Sequence, residues 1–205
     1  MARDRSPIVK QSRREGYALH PKAHKAMVKR TTPPGQHGRS RQGKQSQFAI
    51  GLREKQKVRR LYGLLEKQFK VVVNKAGHQE GQTGENILIL LERRLDNTVY
   101  RAGFAPSRRA SRQLVTHGHF LLNDKRVDIP SMLVKPGDVI KLRPKSHKNE
   151  YFKNIEEITA NVSQPSLGWL KANKSKFEIT ITGQPIREEA EPDINEQLIV
   201  EFYSR

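Results

Sequence analysis

Cysteine is absent from this chain, which excludes both disulfide bonds and metal sites built on thiolate ligands. Long apolar runs are absent too, since no stretch approaches the length of a membrane span or of a signal-peptide core. The sequence therefore predicts a cytosolic protein with no membrane partner. Of its 205 residues 35% are hydrophobic and 29% are charged, so the chain is polar but still apolar enough for one or two folded domains.

Acidic residues are scarce near the N-terminus. Residues 1–60 contain 17 Lys and Arg but only three acids, Asp4, Glu15 and Glu54, which gives this segment +14 of the total net charge of +18. Such a surplus destabilises a compact chain by self-repulsion unless an anionic partner neutralises it. Nucleic acid is the usual partner, because each Lys or Arg placed against a phosphate releases a counterion. The uneven charge predicts a dedicated basic arm.

The arm itself is expected to lack regular structure. Residues 1–45 show no sustained apolar period, and the turn-rich stretch PPGQHGR occupies 33–39. We expect an extended arm that is flexible in solution and becomes ordered on RNA. A solvated tail is the alternative, and the concentrated charge disfavours it.

Helical spacing of apolar residues begins near residue 46. One apolar stripe continues to Phe69, and a second helix from about Glu85 carries a ladder that reaches Val99. Residues 47–60 contain a single acid, Glu54, so pairing within this part of the helix cannot neutralise its basic residues. A solvated face is the ordinary explanation, but the imbalance favours phosphate contacts. The candidates are Arg53, Lys55, Lys57, Arg59 and Arg60.

A short amphipathic helix is predicted between Ser107, a suitable N-cap, and Gly118, a suitable stop. Its polar side carries arginines and an amide. Because no acid lies between Asp96 and Asp124, we expect these arginines to project without local ion pairs. The RNA-binding candidates here are Arg108, Arg109, Arg112, Gln113 and His117.

A tight hairpin should follow that helix. Residues 120–127 alternate as strand, turn and strand, and Asn123 and Asp124 tolerate the left-handed backbone that such turns require. Lys125 and Arg126 lie at its tip and complete the candidate RNA-binding set. Further strands are predicted at 139–142 and 177–181.

Several stretches, taken together and in order, resemble a known family. They are SRREG at 12–16, PGQHG at 34–38, LREKQKVRRLYG at 52–63, TGEN at 83–86, RLDNTVYR at 94–101, ASRQLV at 110–115 and INEQLIVEFYSR at 194–205. Residues 93–143 are similar to the S-four RNA-binding domain. The whole chain resembles the S-four family of small-subunit ribosomal proteins.

The resemblance implies an α+β fold in four parts. These are a basic arm at 1–45, a helical domain at 46–92 completed by about 186–205, an S-four RNA-binding domain at 93–155, and a sheet extension and connection at 156–185. That domain should have two helices and an antiparallel sheet. Within the arm, the matching stretches and the turn-rich stretch at 33–39 supply the RNA-binding candidates Arg13, Arg14, Gln36, His37 and Arg39.

The resemblance also implies a function. The expected protein is a structural constituent of the small ribosomal subunit that binds early to a multi-helix junction in the 5′ part of the ribosomal RNA and nucleates assembly. It should lie beside the path by which mRNA enters, next to other small-subunit proteins, in the cytoplasm or in an organellar matrix or stroma. Some relatives bind a metal through four arm cysteines, two of which would fall at Val9 and Ser12. We therefore expect a metal-free, cofactor-free form.

Three alternatives compete with this interpretation. An RNA-modifying enzyme could carry the same small domain, but no catalytic-sized domain remains beside it, and phosphate-binding loop motifs are absent. A metal protein is disfavoured because the pairs His20 with His24 and His117 with His119 lack further ligands nearby in sequence. A stand-alone RNA-binding factor would need neither the arm nor the C-terminal segment. We expect no enzymatic activity.

Overall fold

The computed structural model describes residues 4–40, 43–160 and 167–204, which fold as two compact units. The first unit combines the described residues up to Ile87 with those from Asp193 onward, and the second comprises those from Leu88 to Pro192. The helices are α1 Ile8–Glu15, α2 Pro21–Lys29, α3 Gln47–Leu61, α4 Glu66–Gly77, α5 Thr83–Glu92, α6 Leu95–Arg101, α7 Arg108–Thr116, α8 Glu150–Lys153, α9 Ile155–Thr159 and α10 Glu196–Tyr203. The strands are β1 Phe120–Leu122, β2 Lys125–Val127, β3 Val139–Leu142, β4 Leu170–Asn173 and β5 Glu178–Ile181. Short 3₁₀ turns occupy Gln36–Arg39, Pro144–Lys148 and Arg187–Glu189.

The arm is not extended, and this corrects the prediction made for it. It contains α1, α2 and a 3₁₀ turn. Gly16, at φ +66°, ends α1 in the left-handed region, and the ring of His20 caps α2 by accepting a hydrogen bond from the Lys22 amide. Ser12 is fully buried, and its hydroxyl donates to the Ile8 carbonyl and accepts from the Leu19 amide. The ends of α1 and α2 depend on a few adjacent residues and leave no repeating apolar pattern. Both helices were therefore missed by a prediction that relied on such a pattern.

Helix α10 brings the C-terminal segment against α3. Gly51 of α3 makes this possible, because a Cβ there would lie 3.3 Å from the Leu198 carbonyl oxygen. The rings of Phe48 and Phe202 pack with centroids 5.3 Å apart. Asn195 caps α10 by accepting from the Leu198 amide.

Both long apolar ladders of the sequence are interrupted by turns. Helix α3 stops at Leu61, because Gly63 adopts φ +65° before α4 begins. Between α5 and α6, Arg94 forms an isolated antiparallel β-bridge with Leu133, and this bridge interrupts the helix. The Leu95 amide donates to the Met132 carbonyl there. The prediction of one continuous helix through each ladder was therefore wrong.

The second unit is built on a five-stranded antiparallel sheet in the order β2-β1-β3-β5-β4. Its buried face carries Phe120, Ile140, Leu142 and Ile179, which pack with residues of α6 and α7 in one core. The β1–β2 hairpin turns at Asn123 (φ +49°) and Asp124 (φ +62°). Left-handed backbone at both central residues is a type I′ turn, which the sequence alone had left open.

The mixed α+β class of the sequence prediction is confirmed, since helices are combined with an antiparallel sheet. The Ser107 cap of α7 is also as predicted, since its hydroxyl accepts from the Ala110 amide. Among the described residues, no helix combines the length and apolarity that a bilayer crossing requires. The same residues contain no cluster of three potential metal-ligating side chains.

Candidate nucleic-acid interface

The basic arm forms a polar cleft around the 33–39 turn. Its lining consists of Arg13, Lys29, Arg30, Thr31, Thr32, Pro33, Gly35, Gln36, Gly38 and Arg39. Arg13 shapes the cleft, because its guanidinium donates to the carbonyls of Thr32 (3.0 Å) and Pro33 (3.2 Å). Gly38 is equally necessary, since a Cβ at this position would collide with the Pro33 carbonyl oxygen.

The cleft brings together three of the five residues predicted in the arm: Arg13, Gln36 and Arg39. Gln36 and Arg39 are exposed, as are Arg14 and His37, which do not line the cleft. The cleft also contains Lys29 and Arg30, both exposed and both missed by sequence reasoning. The only sequence signal for Lys29 and Arg30 as binding residues is their basic character. The sequence does not show that α2 ends beside the 33–39 turn.

Four of the five basic residues of α3 have acidic partners from other segments, and Lys57 pairs within the helix. Arg53 and Arg60 both donate to Oε1 of Glu15 in α1. Lys55 is buried and donates to Glu66 at 2.6 Å. The remaining two also lie beside acids: Lys57 is 2.8 Å from Glu54, and Arg59 is 3.7 Å from Glu66. The charge imbalance of the helix is therefore partly neutralised within the protein, which sequence spacing could not show.

Glu15 is the most enclosed of these acids. Its side chain has no exposed surface, and its Oε2 atom makes no hydrogen bond within the described residues. Burial raises the pKa of this carboxyl group above its ordinary value, and the charges of Arg53 and Arg60 only partly oppose the effect.

Helix α7 corrects the strongest expectation drawn from the sequence, that Arg108 and Arg112 project without ion pairs. The side chain of Arg108 is only 12% exposed and donates to Glu191 at 2.7 Å, and that of Arg112 is only 10% exposed and lies 3.5 Å from Asp96. The lack of acids near these arginines in sequence did not mean that they have no ion pairs. The fold brings Glu191 from 83 residues downstream of Arg108, and Asp96 from the preceding helix.

Two buried networks hold this helix. In one, Glu92 receives a two-pronged hydrogen bond from Arg101, and the amide of Asn97 donates to Glu92 and accepts from Arg108. Glu191 completes it beside Arg101 and Arg108. Each charged group thus has an opposite charge or a hydrogen-bond partner, which buried ions require.

In the other network, Asp96 accepts a two-pronged hydrogen bond from Arg94 at 3.1 and 2.9 Å. Arg112 approaches the same carboxylate from α7, and the Ser111 hydroxyl donates to the Asp96 main-chain carbonyl. Arg94 and Asp96 belong to the RLDN stretch of the sequence, so this stretch serves as the internal support of α7.

The outward side of α7 and the neighbouring hairpin keep polar groups at the surface. Gln113 is exposed on α7 and His117 directly after it, Arg109 is partly exposed, and Lys125 and Arg126 are exposed on β2. The guanidinium of Arg126 covers Gly118, where a Cβ would lie 2.9 Å from its Nε atom. Hydrogen-bond donors and positive charge thus stand on a rigid scaffold, a suitable surface for phosphates and for unstacked bases.

Comparison with known proteins agrees with this architecture. Residues 3–92 match the family model described as "Ribosomal protein S4/S9 N-terminal domain", and residues 93–140 match the "S4 domain". Similar proteins are the small ribosomal subunit protein uS4 of Chlorobium phaeovibrioides (50% identical), of Chlorobaculum tepidum (49%) and of Roseiflexus castenholzii (48%). Each similarity covers 100% of both chains.

The chain belongs to the uS4 family of small ribosomal subunit proteins. Members of the uS4 family are structural ribosomal proteins, so this chain is a structural component of the small subunit and not an enzyme. Its S4 domain makes it an RNA-binding protein. In the RLDN stretch at 94–97, Asp96 is a buried ion-pair partner of Arg94.

Proposed function

We propose that this chain binds small-subunit ribosomal RNA early, at a multi-helix junction in the 5′ part of that RNA, and thereby nucleates assembly of the subunit body. It would then lie near the path by which mRNA enters, beside neighbouring small-subunit proteins. The ribosome that carries it would be cytoplasmic, or organellar if the chain is encoded in an organelle.

The observation that carries the proposal is the exposed surface of α7 and the hairpin. Gln113, His117, Lys125 and Arg126 are exposed there, while the buried networks of Asp96 and Glu191 fix the helix beneath them. A helix and hairpin that are already ordered lose little backbone freedom on binding, so they can bind an RNA fold before other proteins arrive. Such early binding is what nucleation requires.

The four parts of the chain would contribute differently. We assign phosphate contacts to the arm at 1–45, whose cleft presents Lys29, Arg30 and Arg39. The helical domain at 46–92, completed by about 186–205, would add Arg53, Lys57, Arg59 and Arg60 where RNA phosphates compete with their acidic partners. The domain at 93–155 would read the RNA, and the segment 156–185 would extend its sheet.

The test uses naked RNA and no other protein. The purified chain should bind a transcript of the 5′ part of small-subunit ribosomal RNA more tightly than a transcript of the 3′ part. The variant Gln113→Ala/His117→Ala/Lys125→Ala/Arg126→Ala should bind the 5′ transcript more weakly and with a salt slope lower by roughly two, because two cationic side chains are lost. Its melting temperature should match the parent's. Equal affinity for both transcripts would refute the proposal.

A further inference from the structure

A second basic surface lies on the second unit, on segments that sequence reasoning assigned to no site. It consists of the 3₁₀ turn Pro144–Lys148 and the turn between β4 and β5. Its exposed basic side chains are Lys145, His147, Lys148, Lys174 and Lys176, which we name the lysine surface. No acid occurs in 143–149 or in 171–177.

Contacts around Phe177 join the two turns into one surface. The His147 ring packs edge-on against Phe177 with centroids 5.3 Å apart, and the Leu142 amide donates to the Phe177 carbonyl at 3.0 Å. Phe177 is fixed at φ +51° by the β4–β5 turn, where its amide donates to the Lys174 carbonyl and Asn173 accepts from the Lys176 amide. The lysines therefore stand on a supported backbone.

The lysine surface continues from the end of α7. The rings of His117 and His119 have centroids 6.0 Å apart, and His119 Nδ1 lies 3.0 Å from the hydroxyl of buried Ser146, within the 3₁₀ turn. The Arg143 amide also donates to the His119 carbonyl at 2.8 Å. A chain of direct contacts thus leads from the proposed RNA contact His117 to Lys145 and Lys148.

The lysines have no acidic partner in the part of the chain that the structure describes. None of Lys145, Lys148, Lys174 and Lys176 forms an ion pair there, in contrast to the basic residues of α3 and to Arg108 and Arg112 of α7. Four like charges in adjoining turns repel one another, and a polyanion relieves that repulsion by replacing counterions.

We infer that the lysine surface binds a stretch of RNA phosphate backbone and extends the RNA footprint of this domain beyond α7 and the hairpin. The inference rests on the proposed function, because His117 is where the two surfaces meet. Lysine ammonium groups act as point charges that bind phosphates. The Phe177 ring is packed against other aromatic rings, so it does not stack on bases. The lysine surface therefore recognises phosphate charge and not base sequence.

A charge-matched pair of variants tests the inference. Lys145, Lys148, Lys174 and Lys176 are all changed to Gln in one variant, and the exposed Lys67, Lys70, Lys75 and Lys135 are changed to Gln in the other. Both lose four charges. The first should bind the 5′ ribosomal RNA transcript about tenfold more weakly at moderate salt with a slope lower by roughly four, and the control should change little. Equal loss in both variants, or no loss in the first, overturns the inference.

A directed probe locates the contact independently. Because the chain has no cysteine, Lys174→Cys and Lys70→Cys each create one attachment point for an iron chelate that generates hydroxyl radicals. The Lys174 probe should cut the bound RNA at a discrete stretch, and uniform or absent cutting would contradict the inference. Suppose that the parent binds the transcript, that the α7–hairpin variant binds it more weakly, and that the lysine surface variant binds it like the parent. The inference then fails and the proposed function stands. If the parent does not bind the transcript, both fail.

Discussion

Arg108 and Arg112 show how an arginine on the polar side of a helix can serve the fold. Both side chains are nearly buried and face carboxylates, Glu191 for Arg108 and Asp96 for Arg112. Arg108 also covers the Tyr100 ring, with its guanidinium carbon 4.7 Å from the ring centroid. Their removal would leave buried acids with fewer partners, so these residues position the RNA-binding surface from below.

The double variant Arg108→Ala/Arg112→Ala should therefore unfold more easily than the parent. Breaking buried ion pairs from one side costs roughly 3 kcal/mol, and the melting temperature of the second unit should fall accordingly. Thermal and urea unfolding followed by circular dichroism measure this. Gln113→Ala on the same helix is exposed and serves as the control, which should unfold like the parent. A double variant as stable as the parent would contradict the buried networks.

Glu15 provides a pH-dependent test at the same scale. Because burial raises the pKa of its folded-state carboxyl group, the native protein binds the proton more tightly than the unfolded chain does. Its contribution to stability is therefore fully present below the unfolded pKa and declines as pH rises through the folded one. The measurable quantity is the difference in unfolding free energy between the parent and Glu15→Gln.

That difference should fall as pH rises from the ordinary carboxyl pKa of 4.5 through the raised value, and then level off. Comparison with Glu15→Gln cancels the titration of the other acids. A difference that grew with pH would mean that the pairs with Arg53 and Arg60 outweigh burial.

At the scale of elements, the cleft of the arm gives the clearest prediction. Lys29→Ala/Arg30→Ala/Arg39→Ala should weaken binding to the 5′ transcript and lower the salt slope by roughly three, because each side chain is exposed at the cleft. Arg13→Ala should behave differently, since Arg13 holds Thr32 and Pro33 in place and its loss disorders the cleft itself. Filter binding at several salt concentrations and circular dichroism separate the two effects. A triple variant with the parent's slope would exclude phosphate contacts in the cleft.

The sequence predicted those elements whose signals are local. The Ser107 cap, the turn at Asn123-Asp124 and the alternation in β5 each depend on a few adjacent residues, and all are present in the structure. The breaks in the two apolar ladders were missed because turns at Gly63 and Arg94 interrupt a period that continues through them. Pairing of Glu191 with Arg108 joins positions far apart in sequence, and no local pattern contains it.

At the scale of the whole molecule, the 39 Lys and Arg residues that outnumber 21 acids are of two kinds. One kind is neutralised internally, by Glu15, Glu66, Asp96 and Glu191. The other is presented outward by the arm cleft, the α7–hairpin surface and the lysine surface. Charge of the second kind needs an external polyanion, and several outward basic surfaces suit one large folded RNA better than a short strand.

Nuclease footprinting of the purified chain on naked small-subunit ribosomal RNA tests this most directly. The protein should protect one multi-helix junction in the 5′ part of the RNA at low protein concentration. The protection should survive competitor RNA of unrelated sequence, because a preordered surface recognises a particular RNA fold as well as its charge. Protection spread evenly along the RNA, or lost to unrelated competitor, would contradict specific binding by this chain.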